Sequence, residues 1–331
     1  MRKWLLILLF GTVIGRPASA ASYTPPHPAK DFHVLRETWH DAARGRDVPV
    51  KIYLPAGDGP HPVVIFSHGL GGSREGYQYL GEWWAGCGYA AVHLQHAGSD
   101  EALWKNTAPS ERRGALAGAV RDPSNALNRV KDVTFAIDEL SRLNKNSGSP
   151  LRGHLDLTRI GMAGHSFGGW TTMAIAGQTL GPRGKSVADP RISAGIEMSA
   201  PVPRSSGGRN PLASITIPLL HMTGTLDDSP IGETKAAERR LLFDGMTRAE
   251  TGLIIFQGAD HMTFADPLNG PGLRESAGSG QNAEFQRLIG MASTAFWDAW
   301  LRGDAPAKGW LRDGGLGRTL GEKATLEWKA P

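Results

Sequence analysis

The sequence has 331 residues and a formal net charge of +4, with 40% hydrophobic and 21% charged residues, 43 Gly, 22 Pro and one Cys. It carries no Gly or Pro repeat and too much apolar material for a disordered, collagen-like or coiled-coil chain, so a turn-rich globular protein is the expectation. Arg2, Lys3 and Arg16 all lie near the start, and without them 33 basic residues stand against 32 acidic ones, which argues against the basic face that a nucleic-acid partner needs.

The chain opens with Arg2-Lys3, an apolar stretch from Trp4 to Ile14 and the small-residue ending Ala18-Ser19-Ala20, the three zones of a secretory signal peptide. Cleavage after Ala20 and a periplasmic or secreted product are expected. The apolar stretch is too short to cross a bilayer, and no later segment approaches the ~18 apolar residues of a membrane span. Residues 21–331 read as a single domain, because no repeat or linker divides them. Strands are predicted at Val48–Leu54, Pro62–Ser67, Ala90–Leu94, Arg159–Gly164, Ala194–Met198, Leu219–Thr223 and Leu253–Phe256, where short apolar runs sit between turn residues. Helices are predicted at Tyr77–Ala85, Ser124–Leu143, Phe167–Gln178, Gly232–Phe243 and Asn282–Leu301 from apolar positions spaced by three or four. Such alternation implies an α/β fold, a mostly parallel central sheet with helices on both faces and functional groups at the carboxyl ends of the strands. The polar stretch 97–122 reads as a loop insertion over those ends, and Val202–Ser214 as a second overhang. Cys87 stands alone, so no intrachain disulfide can form and a buried thiol is expected. The pairs Arg112-Arg113 and Arg239-Arg240 read as solvated surface.

Gly164-His165-Ser166-Phe167-Gly168 has the form Gly-x-Ser-x-Gly, a weak signal by itself in so glycine-rich a chain. Context gives it weight. Ile160–Ala163 precedes it as a strand and Gly168–Ala174 follows as a helix start, the strand, sharp turn and helix of a nucleophile elbow. Ser166 would then point its hydroxyl outward at the positive end of a helix. Phe66-Ser67-His68-Gly69-Leu70-Gly71-Gly72 follows the Pro62 strand, and its glycines let backbone approach a substrate. The backbone N–H groups of Leu70 and Phe167 are the expected oxyanion donors. That loop lacks the Gly-Lys-Ser/Thr of a phosphate loop, and Arg74 stands where a dinucleotide fingerprint needs glycine.

A serine nucleophile needs a base, and the base needs a carboxylate. Beyond Ser166 the histidines are His221, inside a strand, and His261, in the loop after the last predicted strand, so His261 is the expected base. Asp227 and Asp228 both follow the His221 strand. Spacing favours Asp227 as the acid, with Asp228 as N-cap of the helix that follows. Asp260 and Glu197 are weaker candidates, one beside the base in sequence and one a strand too early. No metal motif is present, and His68 and His165 read as braces for the site. Trp104 fits either an acyl pocket or a loop anchor.

Through these residues, together with Gln95-His96-Ala97-Gly98-Ser99-Asp100 and Ala259-Asp260-His261-Met262, the chain resembles the α/β-hydrolase superfamily from about Val48 to Trp300. Within it, the resemblance is to the bacterial predicted dienelactone hydrolases and the platelet-activating-factor acetylhydrolases. It implies Ser166, Asp227 and His261 as a catalytic triad, Leu70 and Phe167 as oxyanion donors, no metal or organic cofactor, and a small-molecule ester as substrate, including lipid esters. True dienelactone hydrolases use a cysteine nucleophile; Ser166 here turns the expectation from lactones toward a serine esterase of short acyl groups. A serine peptidase of related fold and a non-catalytic binding protein are the alternatives. The first is disfavoured for want of a large preceding accessory domain, the second by intact candidates at all three triad positions.

Overall fold

The computed structural model describes residues 23–203, 208–265 and 282–331, so the expected signal segment 1–20 lies outside the described residues. In chain order the elements are β1 (Phe32–Asp41), β2 (Arg46–Pro55), β3 (His61–Ser67), α1 (Gln78–Gly86), β4 (Ala90–Leu94), α2 (Ala102–Lys105), α3 (Arg112–Arg121), α4 (Pro123–Leu143) and β5 (Leu155–His165). There follow α5 (Phe167–Ala176), β6 (Ile192–Met198), β7 (Leu219–Leu226), α6 (Arg240–Gly245), β8 (Thr251–Asp260), α7 (Asn282–Trp300), α8 (Ala305–Arg312), α9 (Gly315–Leu320) and β9 (Ala324–Lys329). The strands form one sheet in the order β1-β2-β4-β3-β5-β6-β7-β8-β9. From β4 to β8 every pairing is parallel, while β1, β2 and β9 run antiparallel to their neighbours. This is the expected α/β architecture.

The pleat of β3 shows how the sheet divides two cores. Val64 and Phe66 pack against Leu80 and Trp84 of α1 and Trp297 of α7, whereas Val63 and Ile65 pack against Val133 and Ile137 of α4. Helix α4 starts at a proline, and the Asp122 carboxylate caps it by accepting the Ser124 N–H at 2.8 Å. Its inward stripe of Val130, Val133, Ile137 and Leu140 also holds two charged residues, Arg129 and Asp132.

The structure corrects three expectations. Edge strands β1 and β9 escaped prediction because most of their residues are exposed or only partly buried and no apolar run marks them. Residues 97–122 contain the helices α2 and α3 in place of a loop, with Leu116 and Ala119 of α3 turned inward. The helix expected over Gly232–Phe243 is instead a 3₁₀ turn at Ala236–Glu238 leading into the six-residue α6. Ser229 N–H bonds the Thr234 carbonyl at 2.9 Å and Ala236 N–H bonds Asp228 at 3.0 Å, closing that stretch as a loop before any helix can start.

Candidate active site

The carboxyl ends of β3, β5, β7 and β8 converge. Between β5 and α5, Ser166 adopts φ 55° and ψ −115°, a conformation that costs a non-glycine residue free energy and so has to be imposed by its surroundings. The surroundings are tight. A Cβ at Gly164 would strike the backbone of Gly168, and one at Gly168 would strike the Ser67 carbonyl, so only glycine lets strand, turn and helix close this far.

Three side chains from three strand ends form a line. The Ser166 hydroxyl lies 2.9 Å from His261 Nε2, and His261 Nδ1 lies 2.7 Å from Asp227 Oδ1. Asp227 is an acceptor, so Nδ1 carries the ring proton and Nε2 is free to accept from Ser166. Asp227 is fully buried, and its other oxygen accepts from Ser199 Oγ at 2.5 Å and Thr223 Oγ1 at 2.7 Å, with Arg239 Nε 3.0 Å away. Burial alone would raise this carboxyl, but the bond from His261, the Arg239 charge and the Ser199 hydroxyl outweigh it and hold the group below its ordinary range. It is therefore ionised at neutral pH.

Supports surround the line. His165 donates Nε2–H to the His261 carbonyl (2.9 Å) and accepts from the Tyr77 hydroxyl at Nδ1 (2.8 Å), and Tyr77 in turn accepts the Gly69 N–H (3.2 Å). The loop after β3 is thus tied to the base through two buried side chains. Burial pushes the His165 imidazole well down, so it stays neutral and suits this bracing role. Asp260 accepts the Met262 and Thr263 N–H groups, each at 3.0 Å, and so shapes the turn that presents His261. Deeper still, Ser67 Oγ, His96 and Asp132 form a second relay (2.8 and 3.0 Å), fully buried and therefore a brace for the end of β3.

In the loop itself, the N–H groups of Gly69, Gly71 and Gly72 bond Tyr77 Oη, the Ser99 carbonyl and the Gly69 carbonyl. Leu70 N–H has no acceptor among the described residues, and Phe167 N–H is one of the open donors at the start of α5. Gly69 sits beside Ser166, a Cβ built on it falling 3.4 Å from the serine Cβ. Trp104 of α2 donates its indole N–H to the Gly71 carbonyl at 2.7 Å, so it anchors the loop.

Sequence reasoning placed the Arg239-Arg240 pair on the surface, and the structure overturns half of that. Arg240 is exposed, but Arg239 is buried and donates to the Asp227, Ser199 and Ala200 carbonyls at 2.8, 2.6 and 2.7 Å. The signal was faint: the alternation of a short amphipathic turn is the only feature that separates the two. Ser199 and Thr223 were likewise missed. Asp228 stays exposed, pairing with Lys235 at 2.8 Å and the N–H of Ala236, not capping a helix at Pro230. Glu197 pairs with His221 at 2.8 Å, away from the line. Among the described residues no cluster of three or more His, Cys, Asp or Glu is disposed to hold a metal ion.

Comparison with known proteins finds two similarities. A family model described as platelet-activating factor acetylhydrolase, isoform II, matches residues 46–112, the segment from β2 to the start of α3 that includes the loop after β3. A platelet-activating factor acetylhydrolase of Cavia porcellus is 26% identical over 285 residues, 77% of this chain. Over these stretches the chain is similar to platelet-activating factor acetylhydrolases. Its aligned part spans 61% of the length of that acetylhydrolase relative. The glycine-rich loop, Arg46 and Trp104 all fall within the segment that matches the acetylhydrolase model, whereas Ser166, Asp227 and His261 lie beyond it.

Proposed function

We propose that this chain is a serine hydrolase of carboxylic esters. The line Ser166–His261–Asp227, with the serine held in a strained turn at the start of α5, is the observation that carries this reading. Ser166 Oγ attacks the ester carbonyl while His261 Nε2 takes its proton. Asp227 fixes the ring and offsets its positive charge. The N–H groups of Leu70 and Phe167 receive the oxyanion. His261 then returns the proton to the leaving alkoxide, and a water activated by the same imidazole hydrolyses the acyl-enzyme. Kinship with the acetylhydrolases supports an ester of a lipid, or a small ester like it, as the substrate. An exported, single-domain protein fits the leader-like start of the sequence. A fluorophosphonate, which reacts only with an activated serine, will label the protein once, and peptide mass analysis will find the adduct on Ser166. Labelling elsewhere, or none in folded protein, sinks the reading.

The acyl pocket is expected to be short. The segment over the strand ends carries Glu101, Lys105, Glu111, Arg112, Arg113 and Arg121, and its apolar Trp104 and Leu116 are turned onto Gly71 of the loop, not left for a fatty chain. Each CH₂ that finds no apolar contact forgoes roughly 0.8 kcal/mol. kcat/KM on p-nitrophenyl esters will peak between acetate and butyrate and fall by octanoate. A series still rising at decanoate would contradict the short pocket.

A further inference from the structure

Helix α4 brings two charges into the interior, and they are treated differently. Asp132 meets opposite charge, Arg44 Nη1 at 2.7 Å and Arg46 Nε at 2.9 Å, besides the His96 ring. Arg129 does not. It is fully buried, no carboxylate of the described residues makes an ion pair with it, and its donors go to neutral oxygens. Nε donates to Thr171 Oγ1 at 3.0 Å, one terminal nitrogen to Ser99 Oγ at 2.8 Å, and the other to the carbonyl of His68. The guanidinium lies over the Phe167 ring, 4.6 Å from its centre. A buried cation with no carboxylate in direct contact is costly even with Asp132 and Asp100 acting on it through space, and a fold that keeps one either neutralises it or uses it. Burial pushes this guanidinium down to about 9, which still leaves it charged at neutral pH.

What it touches is informative. His68 is two residues before Leu70, and Thr171 donates its own hydroxyl to the Phe167 carbonyl at 2.9 Å. One planar fork therefore grips both backbone segments that carry the unbonded N–H groups of Leu70 and Phe167.

We propose that Arg129 is the positioning residue of the oxyanion site, bolting the Leu70 and Phe167 segments at one separation and setting a fixed positive charge behind them. This rests on the serine-hydrolase reading. No carboxylate touches this charge in the resting protein, Asp132 and Asp100 acting on it only through space, so an oxygen that turns negative beside it is stabilised more than the neutral ester, and the effect falls on the transition state more than on substrate binding.

The test is a set of variants, Arg129→Gln, Arg129→Met and Arg129→Lys, assayed on p-nitrophenyl acetate with active sites counted by fluorophosphonate. In the Gln and Met variants kcat per titrated site and the rate constant of phosphonylation will both fall on the order of 10²-fold, with KM within about threefold of wild type. Lys keeps the charge without the fork and will recover about tenfold of that loss. A residue serving stability alone would lower the melting temperature and the titrated fraction, yet leave kcat per site unchanged; that result, or a loss confined to KM, overturns the proposal. Should the Gln and Met variants not fold, Thr171→Val and Ser99→Ala each remove one acceptor and keep the cation. Each will lower kcat per site by about three- to tenfold, and an unchanged kcat in both refutes the bolt. Failure of the hydrolase reading looks different, since wild-type protein would then take no label at Ser166.

Discussion

Replacing Ser166 by Ala will lower ester turnover by about 10⁴- to 10⁶-fold while the protein stays folded. The hydroxyl is the atom that forms the acyl bond in the proposed reaction, and no other described side chain stands within hydrogen-bond reach of His261 Nε2. Its loss leaves little behind structurally, because Ser166 is only half-buried and the turn is held by Gly164, Gly168 and the bond from Ser166 N–H to the Met198 carbonyl at 2.8 Å. Ala inherits the strained positive φ, whereas Gly does not. Ser166→Gly should therefore be as inactive as the Ala variant but more stable by about 1 kcal/mol, readable in denaturant midpoints. Turnover retained in the Ala variant would move the nucleophile elsewhere.

The parallel strands could be read from the sequence because each is buried on both faces, which writes it as a continuous apolar run between turn residues. Ile160–Ala163 and Leu219–Thr223 are of this kind. β1 is the opposite case. It lies at an edge, most of its residues are partly exposed, and its pairing with β2 depends on a register that local composition does not encode. The short α2 and α3 were illegible for a related reason: their inward residues, Trp104 and Leu116, are few and are directed at a loop, not at the sheet.

The candidate site divides along the same lines. Ser166, His261 and Asp227, which the structure brings into one line, could be nominated because strand ends fix where chemistry can sit, and the sequence after each strand offered one or two residues of the right type. The supports were hidden. Arg239 and Arg129 are arginines in helical or turn segments, ordinarily solvated, and their burial follows from carbonyls that only the assembled strand ends present. Ser199 sits at φ 56° after β6, and nothing in Met198-Ser199-Ala200 announces that its hydroxyl reaches Asp227 at the end of the neighbouring strand.

Asp227→Asn is the variant expected to damage both chemistry and fold. The Asp227 carboxylate accepts from His261, Ser199 and Thr223 and faces Arg239, all buried donors. An amide offers one acceptor oxygen and a pair of N–H donors, so whichever way it turns, either His261 Nδ1–H or the Arg239 guanidinium loses its acceptor. If the ring loses it, His261 is no longer held in the tautomer that accepts from Ser166, and kcat should drop about 10⁴-fold. If the guanidinium loses it, a buried charge is left uncompensated, a defect worth about 3–5 kcal/mol. The pH dependence of that stability loss has a definite sign. Because the Asp227 carboxyl is held below its ordinary range in the folded protein, its contribution is present above the unfolded value of ~3.9 and disappears as pH falls through the folded one. The gap between wild type and Asn variant in denaturant midpoint should therefore be wide at pH 7 and close at low pH. Asp228→Asn provides the contrast, since Asp228 is exposed and meets only Lys235 and the Ala236 N–H. Its turnover should stay within about twofold of wild type, as for most surface changes. Equal damage from the two variants, or greater damage from Asp228, would remove Asp227 from the acid role and leave the line of three side chains without its anchor.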